Sequence, residues 1–152
     1  MIHPTAVIEG EVEIGPDVEI GPYCHLQGKI KIGARTRLEG HVSLGSRFSR
    51  VIVGEDNSFS SGAVIGGPPQ DLTYKNEVTS LRIGNRNIFR EFSTVNIATT
   101  KGDGETFIGD DNYLMAYVHV GHDCKLGNRV VIANDSHLGG HTVLEDHVVV
   151  GG

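Results

Sequence analysis

Five of the chain's eight histidines, His119, His122, His137, His141 and His147, fall between residues 119 and 147. In the segment Tyr117-Val118-His119-Val120-Gly121-His122-Asp123-Cys124 an imidazole stands next to a carboxylate. That pairing suits general base chemistry. Imidazole titrates close to neutral pH, and an adjacent carboxylate can orient it toward a hydroxyl or amine whose proton it removes. Imidazoles on neighbouring segments can also hold zinc, as in a metal-dependent β-helix, but nothing in this chain has the close Cys/His spacing of a structural zinc site. In a third reading the histidines are a solvated ladder on the outside of a repeat protein and do no chemistry. The choice depends on how the chain brings these residues together.

The elements that position them follow from a period of six. Ile2, Ile8, Ile14, Ile20, Leu26, Ile32, Leu38 and Leu44 are aliphatic at an unbroken spacing of six residues. The phase resumes at Val53, Phe59 and Ile65, then at Ile83, Phe89 and Val95, and runs without a break from Ile108 through Leu114, Val120, Leu126, Ile132, Leu138 and Leu144 to Val150, giving 22 hexads. The residue after the aliphatic is often Gly, and the fifth hexad position is usually small or β-branched, as at Val18, Cys24, Val42, Ala63, Val118 and Cys124. Each hexad reads as a short strand with its aliphatic pointing inward and the glycine freeing the backbone at the turn. Three hexads make an 18-residue coil, so about seven coils stack into a parallel β-helix,. No 3.6-residue or heptad period competes with this pattern.

The phase breaks in three places: by three residues after the Leu44 hexad, twelve after Ile65 and seven after Val95. Reading the middle break as further hexads would point Asp71 and Glu77 into the core unpaired, a costly arrangement, so it is expected to be a loop. The breaks follow hexads 8, 11 and 14 and therefore leave one corner of three successive coils. Insertions gathered on one side of a solenoid commonly mark its binding face. The same arithmetic puts His122 in hexad 17, the next in that series, stacks His137 on His119 and lays His141 over Asp123. The expected organisation is a single β-helix domain over 1–152 with loops at about 66–81 and 98–106.

Bulk properties narrow the classes further. A net charge of −6 argues against a general nucleic-acid binder,. No apolar run approaches the roughly 18 residues of a membrane span, and the N-terminal MIHPTAVIEG lacks the basic-then-apolar layout of a signal peptide, so a soluble, cytoplasmic chain is expected. Its 21 glycines are about twice the usual share of roughly 7%, without a collagen period,. Cys24 and Cys124 lie more than four coils apart, roughly 20 Å at a strand spacing of about 4.8 Å, which rules out an intrachain disulfide.

Three segments, PPQDLTYKNE, RNIFREFSTVN and DNYLMAYVHVGHDCKLGNRVVIANDSHLGGH, resemble the UDP-N-acetylglucosamine O-acyltransferases that begin lipid A synthesis. The likeness runs through essentially the whole chain. The hexads alone point only to a broad acyltransferase superfamily, and the loop and histidine segments are the specific part. The resemblance implies a left-handed parallel β-helix, although parallel crossovers usually run right-handed. It further implies a homotrimer with active sites between subunits and no cofactor beyond the thioester of acyl carrier protein, the co-substrate. The implied reaction transfers a 3-hydroxyacyl group to the 3-hydroxyl of UDP-N-acetylglucosamine. His122 matches the general base, Asp123 the residue that orients it, and the Gly140 N–H the oxyanion donor. Gln70, Asp71 and Leu72 match a loop that packs on substrate, and Met115, His119, Asn134 and His141 match pocket positions.

The chain departs from the family pattern where a loop lysine is replaced by Thr73, with Lys75 as its expected substitute, and where a histidine of the preceding coil is Asn96. It ends at Gly151-Gly152 inside a hexad, without a capping repeat or helical region, and so reads as a shortened form without the coils expected to set acyl length and supply basic residues for carrier protein,. Two other functions fit the same residues: a sugar-nucleotide N-acyltransferase, with an amine acceptor, and a non-catalytic trimeric scaffold.

Overall fold

The computed structural model describes residues 1–152 and contains eighteen strands, all paired in parallel. The aliphatics of the six-residue phase stack in three columns, one per face of a triangular coil. The first face pairs Ile8, Leu26, Leu44, Ile65, Val95, Val120 and Leu138 in succession. The second pairs Ile14, Ile32, Val53, Ile83, Ile108, Leu126 and Leu144. The third runs from Ile2 and Ile20 to Ile132 and Val150. The first two faces form one eleven-stranded sheet and the third a separate seven-stranded one. They are joined because Val7–Ile14, His25–Ile32 and Ser43–Val53 run continuously around the corner between the first and second faces. No helix is long and apolar enough to cross a membrane.

Burial follows the columns. Leu26, Leu44, Ile65, Val95, Val120 and Leu126 are wholly buried, and Phe59 stacks on Phe89 with ring centroids 4.8 Å apart. Cys24 and Cys124 are buried free thiols whose pKa values burial pushes up, so they pack as small apolar residues,.

The glycines play two parts, only one of them expected. At most turns the left-handed backbone belongs to the third residue after the aliphatic, such as Asp123 at φ 63° or His141 at φ 64°. Of the glycines directly after the aliphatic, Gly45 at φ 81° and Gly66 at φ 86° do take the left-handed backbone, whereas others serve close approach: a Cβ on Gly33 would lie 2.5 Å from the Gly54 carbonyl, and one on Gly121 2.8 Å from the Leu138 carbonyl oxygen. A side chain at Gly33 or Gly121 would force the coils apart,.

One inward column is polar. Asn57, Asn87 and Asn112 lie one above another at the corner between the second and third faces, buried to 1% exposure or less. Asn57 Oδ1 accepts from Asn87 N–H at 2.9 Å, Asn87 Oδ1 from Asn112 N–H at 2.9 Å, and Asn112 Oδ1 from Val130 N–H at 2.7 Å. The Nδ2 groups of the three donate to the carbonyls of Gly84, Gly109 and Gly127. Replacing Asn87 with Leu strands the Asn112 N–H and the Gly109 carbonyl in the core, so chemical unfolding should show a loss of about 3 kcal/mol. An unfolding midpoint equal to that of the unaltered chain would contradict this role.

The three phase breaks leave the corner between the first and second faces. The shortest, at Ser46–Phe48, is a bulge inside the continuous Ser43–Val53 strand, closed by Ser49 Oγ, which accepts from Ser46 N–H and donates to Ser46 O. The second is a loop over 68–78, between the strands Val64–Gly67 and Thr79–Ile83. The third spans 97–104, between Thr94–Asn96 and Glu105–Ile108. The first loop is shorter than its phase break because Thr79 and Ser80 already pair with Ser49 and Arg50.

Candidate active site

His122 and Asp123 occupy this same corner one coil beyond the second loop, and Gly140 and His141 occupy it on the following coil, where His141 N–H donates to His122 O at 2.9 Å. The Asp123 side chain is 3% exposed and that of His122 15%. Asp123 Oδ2 lies 2.8 Å from His122 Nδ1 and 3.5 Å from His141 Nε2. It also accepts from the Thr99 hydroxyl at 2.6 Å, while Thr99 N–H points at both carboxylate oxygens at 3.2 Å. Burial raises the pKa of Asp123, but hydrogen bonds from the Thr99 side chain, His122 and Thr99 N–H, with the charge of His141, outweigh it, and the carboxyl sits below its ordinary value. An ionised carboxylate only accepts, so His122 Nδ1 must donate and Nε2 keeps its lone pair. Nε2 is therefore the basic atom.

The imidazole ring lies against Gly140, where a Cβ would fall 2.5 Å from His122 Cε1 and 2.6 Å from Nε2. The Gly140 N–H donates to no acceptor in the chain. His119 stands on the first face, its Nδ1 2.7 Å from Thr94 Oγ1 and its ring edge-on to His137 at 6.5 Å between centroids. Burial, with the charges of His137 and His122, holds the His119 pKa below its ordinary value.

Both loops close on this corner. Gly102 lies beside Asp123 and His141, and Lys101 Nζ forms an ion pair with Asp71 Oδ2 at 2.7 Å, tying the second loop to the first. The Lys101 ammonium, together with the N–H and hydroxyl of Thr73 that cap Asp71, holds the carboxyl well below the carboxylate range. The cation on Asp71 thus comes from Lys101, in the other loop. Lys75 is exposed, and its N–H bonds to the Glu77 carboxylate. Gln70 and Leu72 are exposed. Asn96 sits at the corner one coil earlier, paired with Gly67, and its buried Oδ1 has no partner.

Met115 and Asn134 lie apart from this group. They line a depression of about 90 Å³ with Arg90, Glu91, Tyr113 and Ala116 at the corner between the third and first faces. Concavities of 430 and 460 Å³ elsewhere, around Gly28 with Arg47 and around Arg35 with Asp56, are larger but bring no comparable set of acid and base groups together. The chemistry marks the site better than volume does.

A metal fits poorly here. The donor atoms of His122, Asp123 and His141 lie within 4.8 Å of one another. Two ligands on a tetrahedral zinc at 2.0–2.1 Å stand about 3.3 Å apart. The 2.8 Å from His122 Nδ1 to Asp123 Oδ2 is hydrogen-bond spacing, and Thr99 already occupies the carboxylate.

The pattern of the bacterial transferase hexapeptide family, six repeats, matches residues 11–46 and 105–140. The acyl-[acyl-carrier-protein]–UDP-N-acetylglucosamine O-acyltransferase of Thermodesulfovibrio yellowstonii is 46% identical over 145 residues, 95% of this chain and 55% of that protein. Its counterpart from Paraburkholderia phytofirmans is 44% identical over 99% of this chain and 56% of its own length. Among solved structures, LpxA from Acinetobacter baumannii superposes with a TM-score of 0.94 at 42% identity, over 99% of this chain and 57% of that one. The chain is homologous to these acyltransferases. It spans about half the length of the curated relatives it matches. The UDP-N-acetylglucosamine acyltransferase from Campylobacter jejuni gives a TM-score of 0.92 at 41% identity, over 100% of this chain and 58% of that one. At these TM-scores the chain shares the fold of these acyltransferases, a parallel β-helix of about seven coils over its own length.

Thr99 and Lys101 were not among the residues singled out from the acyltransferase resemblance. Both lie in an off-phase loop, where counting by sixes gives no position. The one available signal was the place of that loop, next to the coil that carries His122.

Proposed function

We propose that this chain carries the site of a UDP-N-acetylglucosamine O-acyltransferase, moving a 3-hydroxyacyl group from acyl carrier protein to the sugar 3-hydroxyl as the first step of lipid A biosynthesis. The observation that carries this reading is the buried Asp123 carboxylate against His122 Nδ1, which leaves Nε2 basic at the corner lined by both loops. His122 Nε2 takes the hydroxyl proton as the oxygen attacks the thioester carbonyl, and Asp123 stabilises the resulting imidazolium. The unengaged Gly140 N–H, beside the His122 ring, is placed to donate to the oxyanion,. Collapse of the tetrahedral intermediate expels the carrier thiolate, which takes the proton from His122. No cofactor is required.

His119, His141 and Asn96 line the acceptor side, and Asn96 Oδ1 is a free acceptor for a substrate N–H or O–H. Asp71, fixed by Lys101 and Thr73, holds the first loop so that Gln70, Leu72 and Lys75 face outward toward substrate. The chain works as one β-helix domain in the cytoplasm. It assembles as a homotrimer, because Met115 and Asn134 lie on a different corner from His122, and a neighbouring subunit can unite the two sets. Addition of UDP-N-acetylglucosamine should shift the ring NMR signals of His119, His122 and His141 and leave those of His3 and His25 in place. Unchanged spectra at saturating sugar nucleotide would count against the reading.

A further inference from the structure

We propose that Thr99 is the positioning residue that decides which imidazole the Asp123 carboxylate serves, a role that rests on the acyl-transfer reading above. Two imidazoles converge on one oxygen, Asp123 Oδ2: His122 Nδ1 at 2.8 Å and His141 Nε2 at 3.5 Å. Pairing with His122 makes Nε2 a base, whereas pairing with His141 leaves the His122 tautomer unspecified. The only other donors to the carboxylate come from Thr99, its hydroxyl at 2.6 Å and its N–H at 3.2 Å from each oxygen. Together they grip the carboxylate from the loop side and fix its plane toward His122.

Thr99 is itself held in place. Ile97 N–H donates to Gly67 O at 2.9 Å, Ala98 N–H to Ser80 O at 3.3 Å, and the Thr79 hydroxyl to Ala98 O. Thr99 is 3% exposed, so water does not readily replace its hydroxyl. On the far side, Asp123 N–H donates to Thr106 Oγ1 at 2.9 Å, which pins the backbone and leaves the carboxylate torsion to be set by Thr99. The ionisable groups around the pair are His119 on the same coil, His141 on the next, and Lys101 and Asp71 in the loops.

The test compares Thr99→Val, which keeps the shape and the N–H but removes the hydroxyl, with Thr99→Ser, which keeps the hydroxyl. In Thr99→Val the Asp123 carboxyl, followed by carbon NMR, should titrate at higher pH than in the unaltered chain, and nitrogen NMR should show the neutral His122 ring losing its preference for Nδ1–H. Turnover should fall about ten- to hundredfold, the size of a lost hydrogen bond to a charged group, with KM changed less than about threefold. Thr99→Ser should restore all three. The proposal is overturned if Thr99→Val leaves the carboxyl titration and tautomer unchanged, if it moves them without slowing an active enzyme, or if Thr99→Ser behaves like Thr99→Val. Movement of both NMR signals in a chain that transfers no acyl group would uphold the grip of Thr99 on the pair and reject the transfer reading instead.

Discussion

Replacing His122 with Ala is expected to lower turnover at least about a hundredfold, the lower end of what a positioned general base contributes. A sugar hydroxyl is far too weak an acid to lose its proton unaided at neutral pH, and no other imidazole can take over. His141 Nε2 faces the Asp123 carboxylate, and His119 stands on the first face with Thr94, not a carboxylate, at its Nδ1, so no acid stabilises its imidazolium. The ring stacks on the glycine surface of the next coil and fills no part of the aliphatic core, so folding should be unchanged. KM for the sugar nucleotide should move little, because the lost interaction matters mainly in the transition state. Steady-state kinetics beside an unfolding curve checks this, and a variant turning over at the original rate would remove His122 from the mechanism.

Gly140→Ala should be nearly as damaging by a steric route. The added methyl would sit 2.5 Å from His122 Cε1 and 2.6 Å from Nε2, closer than any real contact, and the far end of the imidazole is the part able to give way. Displacing a reacting group by about 1 Å can cost on the order of a hundredfold in rate. Gly140 has no left-handed backbone that would make alanine strained, whereas neighbouring Gly139 has open space around its Cβ position. Gly139→Ala is therefore the matched control and should stay close to the original activity. Equal turnover in the two variants would mean that the packing of His122 on Gly140 has no bearing on catalysis.

Much of this arrangement follows from counting. Because uninterrupted coils have one length, Val120 had to lie under Leu138 and His119 under His137, and the register shows both pairs. Asp123 and His141 meet for the same reason. The corner that gathers the loops was legible because their breaks fall every third hexad.

What escaped the count lies where periodicity stops or where one position accepts two chemistries. The loop contacts of Thr99 with Asp123 and of Lys101 with Asp71 depend on backbone paths that no repeat dictates. The Asn57, Asn87 and Asn112 ladder occupies the small, inward hexad position, where an amide fits only because another amide and a carbonyl lie one coil away. The glycines are conspicuous, but the pattern does not separate their reasons: Gly45 and Gly66 free the backbone, at Gly33 and Gly121 carbonyls of the next coil exclude a Cβ, and at most turns aspartate, arginine, histidine and aromatic residues take the left-handed position. Met115 and Asn134 were joined to His122 by resemblance, and a single chain keeps them on separate corners.

The most direct measurement is transfer of a 3-hydroxyacyl group from acyl carrier protein to UDP-N-acetylglucosamine by the assembled chain, with the product identified by mass spectrometry and the rate compared with that of His122→Ala. The account predicts an ester at the sugar 3-hydroxyl, formed at a rate that collapses in the variant. A folded, trimeric chain that binds the sugar nucleotide yet forms no ester, or forms it equally fast without His122, would contradict it.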